Sequence, residues 1–278
     1  MENMLKEYVG TLSELKYDKC GTAYVEEGEG DPVILIHGVG LSHAMWFAQS
    51  RALAKHFRVI RYDMLGHGGS CLPKVGVTID DYVEQLLNLM QHLELTTSSI
   101  IGFSLGALVA QKFAIIHPSN LNRLVIMSSV FNRSDAQKLG VFGRALEVAV
   151  SGVKGTVDAA TDRWFSPEFR RQQPQLIQCI REQLLQNDHM GYLRSYNIFA
   201  TSDEVVRDGL SDIQCPTLVI TGELDIGSTP DMAREMSEVI PHAKLMIVPM
   251  QRHMLPVEDA ASTNKYLLNF FALGKSLK

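Results

Sequence analysis

The sequence has little that ties it to a membrane, a nucleic acid or an oxidising compartment. No apolar run reaches bilayer-spanning length. The opening residues, Met1-Glu2-Asn3-Met4-Leu5-Lys6-Glu7, carry neither the basic nor the apolar segment of a secretory leader. Cysteine is sparse: Cys20, Cys71, Cys179 and Cys215 are scattered, without CxxC or metal-ligand spacing. They read as reduced thiols of a cytoplasmic protein, and no metal site is expected. Basic charge is not in excess. The 26 Lys and Arg residues face 31 Asp and Glu, a net charge of −5, which gives no support for nucleic acid or an anionic membrane as partner. There is no internal repeat or low-complexity tract. The glycine-rich run Met64-Leu65-Gly66-His67-Gly68-Gly69-Ser70 lacks the G-K-[ST] or helix-opening G-x-G-x-x-G of a phosphate cradle. Asp63 and His67 read there as turn-stabilising groups.

What remains is a globular chain of 278 residues, 46% of them apolar and 21% charged, long enough for one α/β domain with an insertion or for two small domains. Its organising stretch is Ile100-Ile101-Gly102-Phe103-Ser104-Leu105-Gly106-Ala107-Leu108-Val109-Ala110. An apolar β run turns at G-x-S-x-G and leaves as a helix, the context in which this motif presents a nucleophilic serine. Glycines on either side of Ser104 let strand and helix pass close together. Free N–H groups at the helix start favour developing negative charge.

The rest of the chain has a βα rhythm. Residues 7–25 read as two antiparallel edge strands and residues 28–32 as a turn. Pro32-Val33-Ile34-Leu35-Ile36-His37 is a strand buried on both faces. It ends in His37-Gly38-Val39-Gly40, a loop suited to half of an oxyanion hole. The two donors are assigned to the backbone N–H groups of Val39 and Leu105; losing one such donor typically costs about 10²–10³ in rate. The ring of His37 is expected to hold loop backbone. Further helices are expected over 42–56, with Ser42 as N-cap, and from Thr78, an N-cap followed by Asp80 and Asp81. A strand is expected over 57–63 and another over 121–127.

The rhythm breaks over 131–209, where the patterns are helical: 142–153, 157–165, 175–186 and 191–199. Such an insertion is expected to form a cap over the serine, excluding water and shaping a pocket. Trp164, Phe165, Met190, Tyr192 and Tyr196 are candidate pocket walls; they serve equally well to hold the cap helices together. This gives a core of 1–130 and 210–278 with a helical cap at 131–209. The sheet resumes at 216–222 and ends with 243–248, and a last helix is expected over 257–273.

A serine hydroxyl needs a base, and the base needs an orienting acid. In this strand–turn–helix setting the chain order is serine, acid, histidine. Ser104, Asp225 and His253 satisfy it, each just beyond the C-terminal end of an expected strand, where open α/β sheets build their sites. Glu223 and Asp231 are rivals for the acid; Asp225 is preferred because it lies three residues beyond Gly222.

These residues are the ones by which the chain resembles the α/β-hydrolase superfamily: His37-Gly38-Val39-Gly40, Gly102-Phe103-Ser104-Leu105-Gly106, Gly222-Glu223-Leu224-Asp225 and His253. Within it the chain is similar to the 3-oxoadipate enol-lactonase group and its esterase relatives, through Met45-Trp46, Phe57-Arg58-Val59-Ile60-Arg61-Tyr62-Asp63, Gly66-His67-Gly68 and Arg163-Trp164-Phe165-Ser166-Pro167-Glu168-Phe169. It departs at His37-Gly38, where that group often carries Ser-Asn. The resemblance implies a mostly parallel eight-stranded sheet flanked by helices, with the cap after the sixth strand. It also implies hydrolysis of a small carboxylic ester or enol-lactone through an acyl-enzyme, without a cofactor. A carbon–carbon bond hydrolase of a dienoic ring-cleavage product, or a slow-turnover ligand receptor, is compatible with the same residues. A dehalogenase is disfavoured because that chemistry wants Asp at the elbow. Monomer and homo-oligomer both stay open.

Overall fold

Short β-branched and leucine-rich runs form the middle of the molecule. In the computed structural model, which describes Tyr8 and residues 15–272, eight strands make one sheet: β1 (Lys16–Tyr17), β2 (Ala23–Glu27), β3 (Pro32–Ile36), β4 (Arg58–Tyr62), β5 (Ser98–Phe103), β6 (Leu121–Met127), β7 (Thr217–Gly222) and β8 (Ala243–Val248). Their order is β1-β2-β4-β3-β5-β6-β7-β8. β1 and β2 pair antiparallel with their neighbours, and every pairing from β4 to β8 is parallel. β5 and β7 are buried along their whole length, as continuous apolar runs covered on both faces must be.

Helices α1 (Phe47–Leu53), α2 (Ile79–His92), α3 (Leu105–Ile116), α9 (Pro230–Val239), α10 (Leu255–Glu258) and α11 (Ala260–Ala272) flank the sheet. α1 packs with α11, α2 with α3, and α9 against β7 and β8. Thr78 starts α2 through a reciprocal capping box with Asp81. The expected helix over 42–56 is shorter: Ser42 caps a 3₁₀ turn, His43–Trp46, before α1 begins. The final helix is broken at Asp259, whose side chain accepts from Ser262 N to start α11. Of the two expected edge strands, the first is only Lys16–Tyr17; Val9 and Leu12 lie outside the described residues, as does Leu273. Tyr8 is helical and buried, edge-on to Phe47.

Five helices stand between β6 and β7: α4 (Asp135–Ser151), α5 (Val157–Trp164), α6 (Pro167–Gln172), α7 (Pro174–Leu185) and α8 (His189–Arg207). The sequence pattern names four of them. α6 is missed because it is one and a half turns long, although Ser166 accepts from Phe169 N and Pro167 follows at the first turn. Among the described residues no helix is long and apolar enough to cross a membrane, and all four cysteines are free thiols.

Backbone packs against backbone where α3 crosses β3. A Cβ on Gly106 would stand 2.4 Å from the carbonyl oxygens of Ile36 and His37, and one on Gly102 would stand 2.3 Å from the Gly106 oxygen. These neighbours are backbone and cannot swing aside. Gly106→Ala is therefore expected to destabilise the protein by about 1–3 kcal/mol or more, read as a lowered urea midpoint. An unchanged midpoint would contradict the packing.

Candidate active site

Ser104 follows β5 and opens α3 with φ 54° and ψ −114°, a backbone conformation that costs free energy for any residue with a Cβ. Its N–H is tied to Met127 O at 3.0 Å. The turn thus throws the serine above the C-terminal edge of the sheet, where it lines a cavity of about 300 Å³. Val39, Leu41, Trp164, Tyr192, Tyr196, Asp225 and His253 line the same cavity.

His253 sits in the loop after β8 and Asp225 in the loop after β7. His253 Nδ1 is 2.7 Å from Asp225 Oδ2, and the two side chains are 10% and 2% exposed. The other carboxylate oxygen accepts from Gly227 N and Ser228 N, both at 2.9 Å. Carboxylate acceptors on this side make Nδ1 the donor and leave Nε2 free to accept a proton. Ser128 Oγ donates to His253 O at 3.1 Å. The rings of Phe103 and Trp164 lie 4.9 and 6.3 Å from the imidazole, centroid to centroid. Of the rival acids, Glu223 accepts from Met250 N at 2.9 Å and Asp231 pairs with Arg234; each is engaged away from His253.

The loop after β3 is braced from three sides. His37 accepts from Met64 N at Nε2 and so donates from Nδ1 to Gly38 O, at 2.9 and 2.7 Å. His67 accepts from Gly40 N at 2.9 Å and donates from Nδ1 to Leu65 O at 3.1 Å. Asn187 donates to Gly40 O at 2.8 Å. Gly40 has φ +74°, and a Cβ there would stand 2.4 Å from the ring of Tyr192. A Cβ on Gly38 would stand 3.1 Å from Ser104 Cβ, so the loop after β3 runs close beside the serine. The first amides of a helix have no intrahelical acceptor. Asp63 anchors the next loop, accepting from His43 N at 2.7 Å and Gly69 N at 2.9 Å. Burial works to raise its carboxyl, and hydrogen bonding and charge from His43 hold it below the usual value.

The segment from the end of α5 to the start of α6 is stitched to the His253 loop and to α10. Met254 N donates to Trp164 O at 3.1 Å, Arg252 Nη1 to Asp162 O at 2.9 Å, and Ser166 N to the Glu258 carboxylate at 3.1 Å. Trp164 and Tyr192 stand at the cavity wall, as does Tyr196. Phe165 and Met190 do not. Phe165 is fully buried and stacked on Phe169 at 5.4 Å, in the packing of α5 against α6. Met190, in the first turn of α8, is 44% exposed. The expectation that these two wall the pocket is corrected accordingly. Sequence reading missed Arg133, Arg144 and Arg163 as cavity residues. An isolated arginine carries no local signal of which way it faces, whether in a helix, as Arg144 and Arg163, or in the loop before α4, as Arg133. Among the described residues, no group of three or more metal-ligating side chains stands close enough to hold an ion.

His37 and His67 are wholly buried, and both are pushed down from 6.5: His37 to about 3, first by burial and then by the charge of His67; His67 to about 4 by burial. The unfolded chain protonates them near 6.5, so below that pH it binds more protons than the folded state. Their stabilisation is complete above about pH 6.5 and is lost on acidification toward pH 4 and 3. Urea unfolding is expected to show a stability loss approaching about 1.4 kcal/mol per pH unit for each imidazole in that window. The slope is expected to be shallower in His67→Asn; an identical slope would contradict the assignment.

A model of the alpha/beta hydrolase fold matches residues 31–260. Over 246 residues the chain is 32% identical to (E)-2-((N-methylformamido)methylene)succinate hydrolase of Acinetobacter baylyi, covering 87% of this chain and 90% of that one. It is 29% identical to 3-oxoadipate enol-lactonase 2 of the same organism, covering 87% and 89%. The enol-lactonase from Burkholderia xenovorans LB400 superposes with a TM-score of 0.86 at 27% identity, covering 93% of this chain and all of the other.

Proposed function

The chain belongs to the alpha/beta hydrolase fold family and is a hydrolase; from that premise we propose that it cleaves a small carboxylic ester or enol-lactone through an acyl-enzyme on Ser104. The observation that carries this reading is the meeting of three features in one cavity. These are a serine at a positive-φ elbow, a buried His253–Asp225 pair at 2.7 Å, and a glycine loop against the serine Cβ.

In this reading His253 Nε2 takes the Ser104 proton as the hydroxyl oxygen attacks the substrate carbonyl. Asp225 holds the imidazole in the Nδ1–H tautomer and stabilises the imidazolium. The carbonyl oxygen becomes an oxyanion, held by the amides of Val39 and Leu105 and favoured by the N-terminus of α3. Collapse expels the leaving oxygen, which takes the proton from His253. Water then enters, loses a proton to His253 and attacks the acyl carbonyl, and Ser104 recovers its proton as the acid departs. In a lactone the leaving oxygen remains tethered to the acyl group through both steps, and a single acid product departs. Residues 131–209 act as the cap that keeps other water away.

The test is turnover of short p-nitrophenyl esters, enol-lactones and a dienone ring-cleavage product. Ser104→Ala is expected to lower kcat on an ester or lactone by about 10³-fold or more. Asp225→Asn is expected to lower it by about 10²–10⁴ with the fold intact by circular dichroism. Full activity in Ser104→Ala would refute the mechanism. Turnover of the dienone alone would replace ester hydrolysis with carbon–carbon cleavage.

A further inference from the structure

The loop after β3 is gripped on either side of one amide that is left free. Gly38 O accepts from His37 Nδ1 at 2.7 Å and from Leu41 N at 3.2 Å. Gly40 N donates to His67 Nε2 at 2.9 Å, and Gly40 O accepts from Asn187 Nδ2 at 2.8 Å. Between these bonds, the Val39 N–H has no hydrogen-bond partner among the described residues, although Val39 is buried. Buried backbone N–H groups are rarely left so. The C=O and N–H of a trans peptide point in opposite directions. Holding Gly38 O therefore aims the Val39 N–H away from His37, and holding Gly40 fixes the far side of Val39. Gly38 and Val39 line the cavity with Ser104.

The grip on Gly40 O comes from the inserted helices. Asn187 follows the last turn of α7, and its amide also donates to Leu184 O at 2.9 Å and Gln183 O at 3.3 Å. Those carbonyls stand at a helix end, where acceptors lack intrahelical partners, so the helix end fixes the side chain that holds Gly40. Packing reinforces this. A Cβ on Gly40 would stand 2.4 Å from Tyr192 Cε2 and 2.7 Å from Leu184 Cδ2. The grip on Gly40 N leans on the same corner. His67 follows Gly66, where a Cβ would stand 2.9 Å from Gly191 Cα, and Ser195 Oγ lies 3.4 Å from His67 Nε2. Tyr192 and Leu184 fill the space at Gly40, but apolar contact does not choose the rotation of a peptide plane. Hydrogen bonds are directional and do choose it.

We infer that Asn187 is a positioning residue for hydrolysis: by holding Gly40 O it fixes the rotation of the loop and keeps the Val39 N–H aimed at the oxygen of the carbonyl that Ser104 attacks. This rests on the reading above in which that amide is an oxyanion donor. The corner between α7 and α8 then serves the chemical step as well as enclosing the cavity. An oxyanion donor acts on charge that develops after the substrate has bound, so misaiming it lowers kcat and leaves KM nearly unchanged.

The experiment measures kcat and KM for the ester or lactone turned over fastest, in the wild type, Asn187→Leu and Asn187→Ser. Leucine keeps the bulk without a donor, and the serine hydroxyl stops short of Gly40. Removing an oxyanion donor outright costs about 10²–10³ in rate, and kcat is expected to fall about tenfold or more in both variants, with KM within about twofold. The second readout is inhibition by a trifluoromethyl ketone. Ser104 Oγ bonds to its carbonyl carbon, His253 takes the serine proton and the carbonyl oxygen becomes an oxyanion. Its inhibition constant is expected to weaken by the same factor as kcat, while that of the corresponding alcohol, which forms no oxyanion, stays unchanged. Gln178→Ala, on the exposed face of α7 where Gln178 donates to Glu182, keeps the wild-type kcat. A wild-type kcat in either folded variant overturns the inference and leaves the hydrolase reading standing. So does a rise in KM alone, or a fall in kcat with ketone inhibition unchanged. A wild type that turns over no ester or lactone and is not inhibited by the ketone defeats the Ser104 reading, and the inference falls with it.

Discussion

Contact between two backbones governs this molecule. α3 crosses β3 so closely that the space beside the Ile36 and His37 carbonyls admits no side chain at Gly106. That approach bends the chain sharply after β5 and forces Ser104 to positive φ. It also sets the first amide of α3 beside the loop that follows β3. The strain of the elbow is held by neighbours on both sides of β5, since β3 and β6 both pair with it up to the turn and Met127 takes the Ser104 amide. A serine in a relaxed turn would lose its place on the cavity wall.

Around this elbow the polar side chains have become braces. His37, His67, Asp63 and Asn187 each hold backbone of the loops after β3 and β4. A buried neutral imidazole suits such work because it offers one donor and one acceptor in fixed directions. Its cost is sensitivity to acid. The His253–Asp225 pair is built differently. Its carboxylate is saturated by two amides and one imidazole, leaving one ring nitrogen uncommitted by that pair.

The sheet was legible because its strands are continuous apolar runs bounded by glycine and proline, and a parallel sheet covered on both faces requires such runs. Ser104, Asp225 and His253 could be read as a set because the fold orders them along the chain and puts each at a strand end. The inserted helices were legible as helices but not as a surface. Phe165 and Trp164 are adjacent, yet one is packed against Phe169 and the other faces the cavity. Which does which depends on how α5, α6 and α7 cross, a property of pairs of helices that no single helix encodes. The arginines of the cavity were illegible for the same reason, since Arg133 is neutralised by Asp203 seventy positions away while Arg163 is not.

The amides of Met254 and Ser166 bond across the junction between the inserted helices and the stretch from the turn after β8 into α10, in opposite directions. The two segments are ninety residues apart in the chain, yet neither has its own complement of acceptors without the other. The two segments behave as a single structural unit: replacing one without the other strands the Met254 amide and the Glu258 carboxylate. Changes along the cavity walls of α4 and α8 leave this junction intact, whereas changes between Asp162 and Ser166 break it.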